Sequence, residues 1–529
     1  MNAFMLFVYH RRRPLVQPNA TANVKLYTGE AVSVCQDASP TRTPAPMRIA
    51  SHCYAAFFDN SVSPTAPVKK SFLRIAIITG LMVSFMSGLS DETPAQTSRA
   101  TSADTTAKLS GSGHHSPAPQ QSTSLDPAAA TQVWLDNVPQ GEREKSDAYF
   151  EGGYWLILWN YLVAAAISIL ILSSRFSSRL RDFSERLTKF KTVQVACYSV
   201  LYLLLVYVLS FPLNVYERFV REHQYGLATQ SFPAWFREQL IGLGITLIGG
   251  TTFFTVLYAV FRRAPKTWWI WGTAVAVFFS FVLVFIAPVF IEPLFNTYNP
   301  LTKPEISQPI LAMARANEIP VKQVFEVDAS RQTTRVSANV SGFLGTTRIA
   351  LNDNLLKQCT LPEIRLVMAH EMGHYVLNHG AKLLTYLGIF ILIGFALTRI
   401  LFDAAVRRWG DKWGVRGIAD PAGLPLLALI FSTLLLLATP LLNTVVRITE
   451  READAFGINT AREPDGMAQV ALKLGAYRKL NPTPFEEFIF YDHPSGRARI
   501  RMAMDWKAAN LPAGEHPKSE SQNPKQTEE

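Results

Sequence analysis

The chain has 529 residues, 48% of them hydrophobic and only 17% charged, with a formal net charge of +10. The charged fraction is well below the ~25% usual for soluble globular chains and the deficit sits in long uncharged runs, which argues against a soluble protein and for a membrane class. The basic balance comes without a zinc finger, an RNA-binding signature or a DNA-reading helix, so no nucleic-acid partner is expected, and Cys35, Cys53, Cys197 and Cys359 form no CxxC pair that would hold a metal or a disulfide framework.

Residues 1–68 have no clear period and read as disordered or as an upstream extension. Lys69, Lys70 and Arg74 precede an uncharged run, Ile75 to Ser90, so 69–92 has the shape of a signal peptide, a signal anchor or a short extra membrane helix. Residues 93–130 are rich in Ser, Thr, Ala and Pro and read as a disordered linker. An N-terminal membrane domain, 131–295, then carries uncharged runs at 153–173, 192–216, 239–261 and 267–291, each near the ~20 residues that span a bilayer as a helix. Two more runs, 383–402 (interrupted by Arg399) and 421–446, fall within a second region, 296–507. The expected fold is therefore mostly α, a polytopic bundle of six spans, or seven if the 75–90 run also crosses, with a small α+β zinc-protease domain at the membrane boundary.

The soluble stretch between the fourth and fifth runs reads as a helix from Pro304 to Asn317, strands at Val324–Val327 and Arg348–Leu351, and a long helix. Thr360 and Glu363 form a capping box for that helix, Pro362 sits in its first turn, and Gly380 is expected to follow its end. After the sixth run the chain is polar, and 508–529 reads as a disordered tail.

The capped helix contains His370-Glu371-Met372-Gly373-His374. Spacing of i and i+4 puts both imidazoles on one helical face, where they suit one zinc ion per chain and leave positions for a third ligand and a water. Glu371 lies beside the metal, placed to take a proton from that water as it attacks a peptide carbonyl. A third ligand is sought in Arg447 to Asp454, which continues the sixth run. There Arg447, Glu450 and Asp454 share a face at i, i+3 and i+7. Glu450 suits the metal, Asp454 suits a buttress for a ligand histidine, and Arg447 suits a partner for either carboxylate, whereas Glu452 points elsewhere. Spacing alone leaves a solvated charged helix as the competing reading of this stretch.

Several separate segments together resemble the type I CAAX prenyl endopeptidases, integral membrane zinc proteases. These are Phe290 to Asn296, Ser337-Ala338-Asn339 with Gly342-Phe343, Val367 to His374, Glu450 to Asp454, and His493-Pro494 with Arg499. The resemblance covers about 150–506. It implies Glu450 as third zinc ligand, Asn339 and His493 beside the zinc in peptide binding or oxyanion stabilisation, and Arg499 on the substrate backbone or a C-terminal carboxylate. His379 has no matching counterpart and is expected at the surface.

These readings converge on a membrane-embedded zinc metalloendopeptidase acting on a peptide or protein, lipidated or membrane-associated. Broad quality-control proteolysis is the alternative, and a non-catalytic transporter or scaffold the reading from another class. Loops 174–191, 262–266 and 403–420 carry most of the loop Arg and Lys, so positive-inside logic makes them cytoplasmic and turns the protease segment outward. With the signal-like segment this suggests a multi-pass protein of a bacterial inner membrane. The resemblance to cytosol-facing eukaryotic proteins argues for the opposite orientation.

Overall fold

The computed structural model describes residues 125–342 and 347–511. The expectations for 1–68, 69–92 and most of 93–130, for Phe343, and for 512–529 lie outside the described residues. The expected linker ends a few residues early, because helix α1 (Pro127–Asp136) starts with Asp126 accepting from the Ala128 N–H at 2.9 Å. A short side chain that caps free N–H groups fixes such a start.

The membrane part consists of α2 (Gln140–Ser173), the short α3 (Phe176–Leu187), α4 (Lys191–Val215), α5 (Phe232–Arg263) and α6 (Trp268–Ile286). A π-turn, Tyr216–Val220, carries α4 on to Gln224. Five helices of the described residues are long and apolar enough to cross a membrane: Gln140–Ser173, Lys191–Gln224, Phe232–Arg263, His379–Trp413 and Pro421–Ala461. The run expected at 267–291 differs. Its apolar helix is shorter, Trp268–Val284, and from Ala287 the chain passes into a π-turn at Pro288, whose ring cannot supply the helical N–H. The expected count of six becomes five full-length spans and one shorter apolar helix.

The three basic loops meet at one end of the bundle. Arg181 of α3 reaches Asp420 at 2.6 Å and the Gly414 carbonyl at 2.9 Å, and Arg181, Lys191, Arg262 and Arg416 line one cavity. All three loops therefore lie on the same side, as alternation of the helices requires.

The other end carries the soluble part. Its sheet contains β1 (Tyr298–Pro300), β2 (Val324–Val327), β3 (Ala338–Ser341) and β4 (Arg348–Asn352) in the order β1-β2-β4-β3. β2 and β4 are parallel, and β1 and β3 flank them antiparallel, with Val340 opposite Ile349. Against the sheet pack α7 (Pro304–Ala316), α8 (Asp353–Gln358) and α9 (Leu361–Val376) through a shared core that includes Ile310, Val324, Ile349, Leu355, Ile364 and Met368. The chain continues in α10 (His379–Trp413), α11 (Leu424–Ala461), α12 (Pro464–Leu474), α13 (Pro484–Phe490) and α14 (Gly496–Asn510).

The capping box of Thr360 and Glu363 starts α9 as expected. Its end differs: Asn378, at φ 54°, takes the left-handed turn, and Gly380 lies buried in the first turn of α10. Asparagine tolerates that conformation better than most residues. Only two residues, Leu377 and Asn378, separate α9 from α10, so the chain turns sharply there.

Candidate metal centre

Helix α9 supplies His370, Glu371 and His374, and α11 crosses it to supply Glu450 and Asp454. Two glycines permit the close crossing. A Cβ on Gly457 of α11 would stand 3.1 Å from the His370 nitrogen and 3.2 Å from its Cα, and one on Gly373 of α9 would stand 3.0 Å from the Phe456 ring. Helix α14 adds Arg499, and the turn before it adds His493.

The ligand-type atoms converge. His370 Nε2 lies 3.1 Å from His374 Nε2. Glu450 places Oε2 3.3 Å from the first of these and Oε1 3.5 Å from the second. Ligands held ~2.0–2.1 Å from a tetrahedral zinc stand about 3.4 Å from one another; taken one atom per residue, those of His370, His374 and Glu450 all lie within 4.8 Å of one another, close enough to share one ion. The far nitrogens are anchored as well. His370 Nδ1 meets Asp454 at 2.9 Å, and His374 Nδ1 meets His379 Nδ1 at 2.9 Å. Both Nε2 atoms are thereby left to face the common point.

The electrostatics favour a cation there. Glu450 is 5% exposed, and its Oε2 lies 3.3 Å from His370 and from His493 and 3.5 Å from Arg499, so a buried carboxylate stands among imidazoles that a cation would share with it. Burial alone would push the His370 imidazole down, but hydrogen bonds to Asp454 and Glu450 hold it up at about 10. Burial, then the charge on His370, pushes His374 down to about 3.

Glu371 lies on the wall of a cavity of about 250 Å³, together with His370, His493 and the apolar Leu366, Val367 and Met467. Burial, reinforced by Glu450 and opposed by His370, raises its carboxyl to about 7. Val336, Ser337, Ala338, Tyr477 and Arg478 form a wall shared with a larger chamber of about 1190 Å³ among the helices. β3 is the sheet edge on that wall. Asn339 lines the larger chamber and takes a hydrogen bond from Ser341 at 3.3 Å.

His493 Nε2 stands 3.3 Å from Glu450, and its Nδ1 stands 2.7 Å from Asp492, a partner that the sequence did not suggest. Three expectations change. Arg499 is buried and aims Nε at Asp454, 2.8 Å away, with Nη2 3.5 Å from Glu450, so its charge balances the carboxylates while it also lines the cavity beside Glu371. Arg447 donates to the carbonyls of Glu487 and Tyr491 and to Thr444 instead of pairing with Glu450 or Asp454. It shares their helical face, but its long side chain runs to carbonyls at the C-terminal end of α13. His379, expected at the surface, is fully buried; Glu452, which points away from the metal as expected, accepts from its Nε2 at 3.0 Å.

Known proteins similar to this chain are metalloproteases of one family. Residues 300–507 match the model of peptidase family M48, and 125–297 match that of the CAAX prenyl protease N-terminal region of five membrane helices. The uncharacterized metalloprotease YhfN of Bacillus subtilis is 30% identical over 63% of this chain and 79% of its own length. CAAX prenyl protease 1 of Saccharomyces cerevisiae is 25% identical over 59% of this chain and 72% of its own. The crystal structure of S. mikatae Ste24p superposes with a TM-score of 0.59 at 20% identity, covering 72% of this chain and 94% of that one, a likeness of fold.

Proposed function

Because this chain belongs to peptidase family M48 and is an integral, multi-pass membrane metalloendopeptidase, we propose that it binds one zinc ion through His370, His374 and Glu450 and cleaves peptides with Glu371 as general base. The observation that carries this reading is the convergence of His370 Nε2, His374 Nε2 and the Glu450 carboxylate, with the two nitrogens 3.1 Å apart, Oε2 3.3 Å from the first and Oε1 3.5 Å from the second, and each imidazole anchored from behind.

Bound zinc supplies Lewis acidity and a lowered water pKa. The rest falls to the chain. An extended peptide adds to the edge of β3 by backbone hydrogen bonds, which hold it without regard to side chain. Glu371, ionised, takes the proton of the attacking water and returns it to the leaving amine. His493, its Nδ1 held by Asp492, stands beside the metal site where peptide or oxyanion would lie. Asn339 orients the peptide on the chamber side. Arg499 and Asp454 keep His370 in its ligand orientation. Glu371→Gln should abolish cleavage of a fluorogenic peptide while metal analysis still finds one zinc per chain. Retained cleavage in that variant would sink the assignment.

For substrate, relatives named CAAX prenyl proteases favour lipidated C-terminal peptides, and a large chamber between membrane helices suits a lipid-bearing chain. Broad cleavage of membrane-associated proteins is the competing reading, favoured by pairing to a strand edge that reads backbone alone. Matched peptides with and without a C-terminal isoprenoid cysteine separate the two, and equal rates remove the CAAX reading. The site lies at the end of the bundle away from the basic loops, so the positive-inside rule favours a protease part outside the cytoplasm, in keeping with the reading of a bacterial inner-membrane protein.

A further inference from the structure

His374 and its surroundings carry a feature that the catalytic reading does not use. His370 is backed by a carboxylate, Asp454, but His374 is backed by a second imidazole. His379 Nδ1 lies 2.9 Å from His374 Nδ1, and His379 Nε2 lies 3.0 Å from Glu452 Oε2, which Lys382 also meets at 2.7 Å. His374 and His379 are 2% and 0% exposed, so no bulk water competes for these nitrogens.

A contact between two imidazole nitrogens at this distance holds one proton, and the ends of the chain decide which nitrogen carries it. Glu452 accepts only, so His379 carries its proton on Nε2 and presents a lone pair at Nδ1. His374 must then place its own proton on Nδ1, leaving the lone pair on Nε2, the atom that faces His370 Nε2 and Glu450. Each step has one solution. Without an acceptor behind it, His374 is free to carry the proton on Nε2, which blocks the lone pair that a metal needs.

We propose that His379 and Glu452 form a positioning relay that fixes the tautomer and ring orientation of His374 and so sets the affinity of the site for zinc. The fold builds the relay deliberately in space. Asn378 turns the chain back at φ 54°, so that the first residue of α10 packs behind the last histidine of α9. Glu452 lies two residues from Glu450, roughly 200° round α11, which aims it past the metal face toward the start of α10. The distances resemble those by which Asp454 backs His370, but here a neutral ring stands between the ligand and the carboxylate. The negative charge is therefore farther from the metal on this side, and the exposed Glu452–Lys382 pair lies at its outer end.

The inference rests on His374 being a ligand. The test compares zinc affinity by competition with a chromogenic chelator, and the visible absorption of the cobalt-substituted protein, in detergent-solubilised full chain. His379→Leu keeps bulk but removes the acceptor. It should weaken zinc binding roughly 10- to 100-fold, change the cobalt spectrum and lower kcat with little change in KM. His379→Asn keeps an acceptor near the Nδ1 position and should recover most of the affinity and the spectrum. Should His379→Leu fail to fold, Glu452→Leu, at the exposed end of the relay, should weaken zinc several-fold. Zinc affinity and cobalt spectrum unchanged in His379→Leu or in Glu452→Leu overturns the relay, as does His379→Asn behaving no better than His379→Leu. If the unaltered protein binds no stoichiometric zinc, the metal reading itself has failed. An unaltered chain with one tight zinc that is insensitive to position 379 defeats the relay alone.

Discussion

At the scale of single residues, charge and burial decide what each side chain at the centre can do. Arg499 resembles a substrate-binding arginine in sequence, yet its guanidinium is buried against Asp454 and Glu450. Removing one member of a buried ion cluster leaves the others uncompensated, at a cost of about 3–5 kcal/mol. Arg499→Met is thus expected to lower the thermal unfolding midpoint of the metal-free protein strongly, and added zinc should restore part of the loss. Full stability in that variant would contradict the charge-balancing role. Glu371 offers a pH test. Its carboxyl is raised to about 7 by burial, so its base form disappears as pH falls. A nearby dication favours the carboxylate and draws the value down, so the acid limb of kcat/KM should fall between the ordinary carboxylate value of 4.5 and about 7. A profile flat to pH 4 would exclude Glu371 as the base.

At the scale of elements, the site is a crossing of two helices, and the crossing depends on missing side chains. Glycine inside a helix ordinarily costs up to ~1 kcal/mol against alanine, so Gly→Ala should stabilise unless space forbids it. At Gly457 the new Cβ meets backbone of the zinc helix at 3.1 and 3.2 Å, and backbone cannot rotate away. Gly457→Ala is therefore expected to destabilise by about 1–3 kcal/mol and to weaken zinc binding by pushing α11 from α9, readable by thermal unfolding and zinc titration together. A stabilised variant with unchanged zinc affinity would refute the close crossing. Arg447 works at this scale too, since it ties α11 to the carbonyls of Glu487 and Tyr491, just before Asp492 and His493. Arg447→Met should loosen that segment and reduce kcat several-fold with zinc content intact. A drop in zinc content instead would return Arg447 to the metal.

At the scale of the whole molecule, the basic loops gather at one end and the centre forms at the other. The Arg181–Asp420 pair, buried on both sides and 2.6 Å long, ties the loop after α2 to the loop before α11. The orientation proposed from these loops is testable in intact bacterial cells. With native cysteines replaced by serine, an impermeant thiol reagent should label a cysteine placed at Lys303 beside the sheet and spare one placed at Arg179. The opposite pattern would turn the protease face to the cytoplasm.

Much of this architecture is local and therefore legible in the chain. Long uncharged runs give spanning helices because no backbone polar group can go unpaired in lipid. HExxH puts two imidazoles on one face because a helix turns every 3.6 residues. Pro304, Val324–Val327 and the Thr360 cap marked α7, β2 and the start of α9 correctly. What the chain alone left open depends on packing between segments far apart in sequence. Helical spacing put Arg447, Glu450 and Asp454 on one face but could not say which of them met the histidines. Nothing local distinguished Asn378 from Gly380 as the turn, and only that turn brings His379 behind His374. The residues capable of holding a metal are written in the sequence. Their second partners, His379 with Glu452 and Arg499 with Asp454, came into being where separate elements meet, because contact across the fold is set by distance in space and not by spacing along the chain.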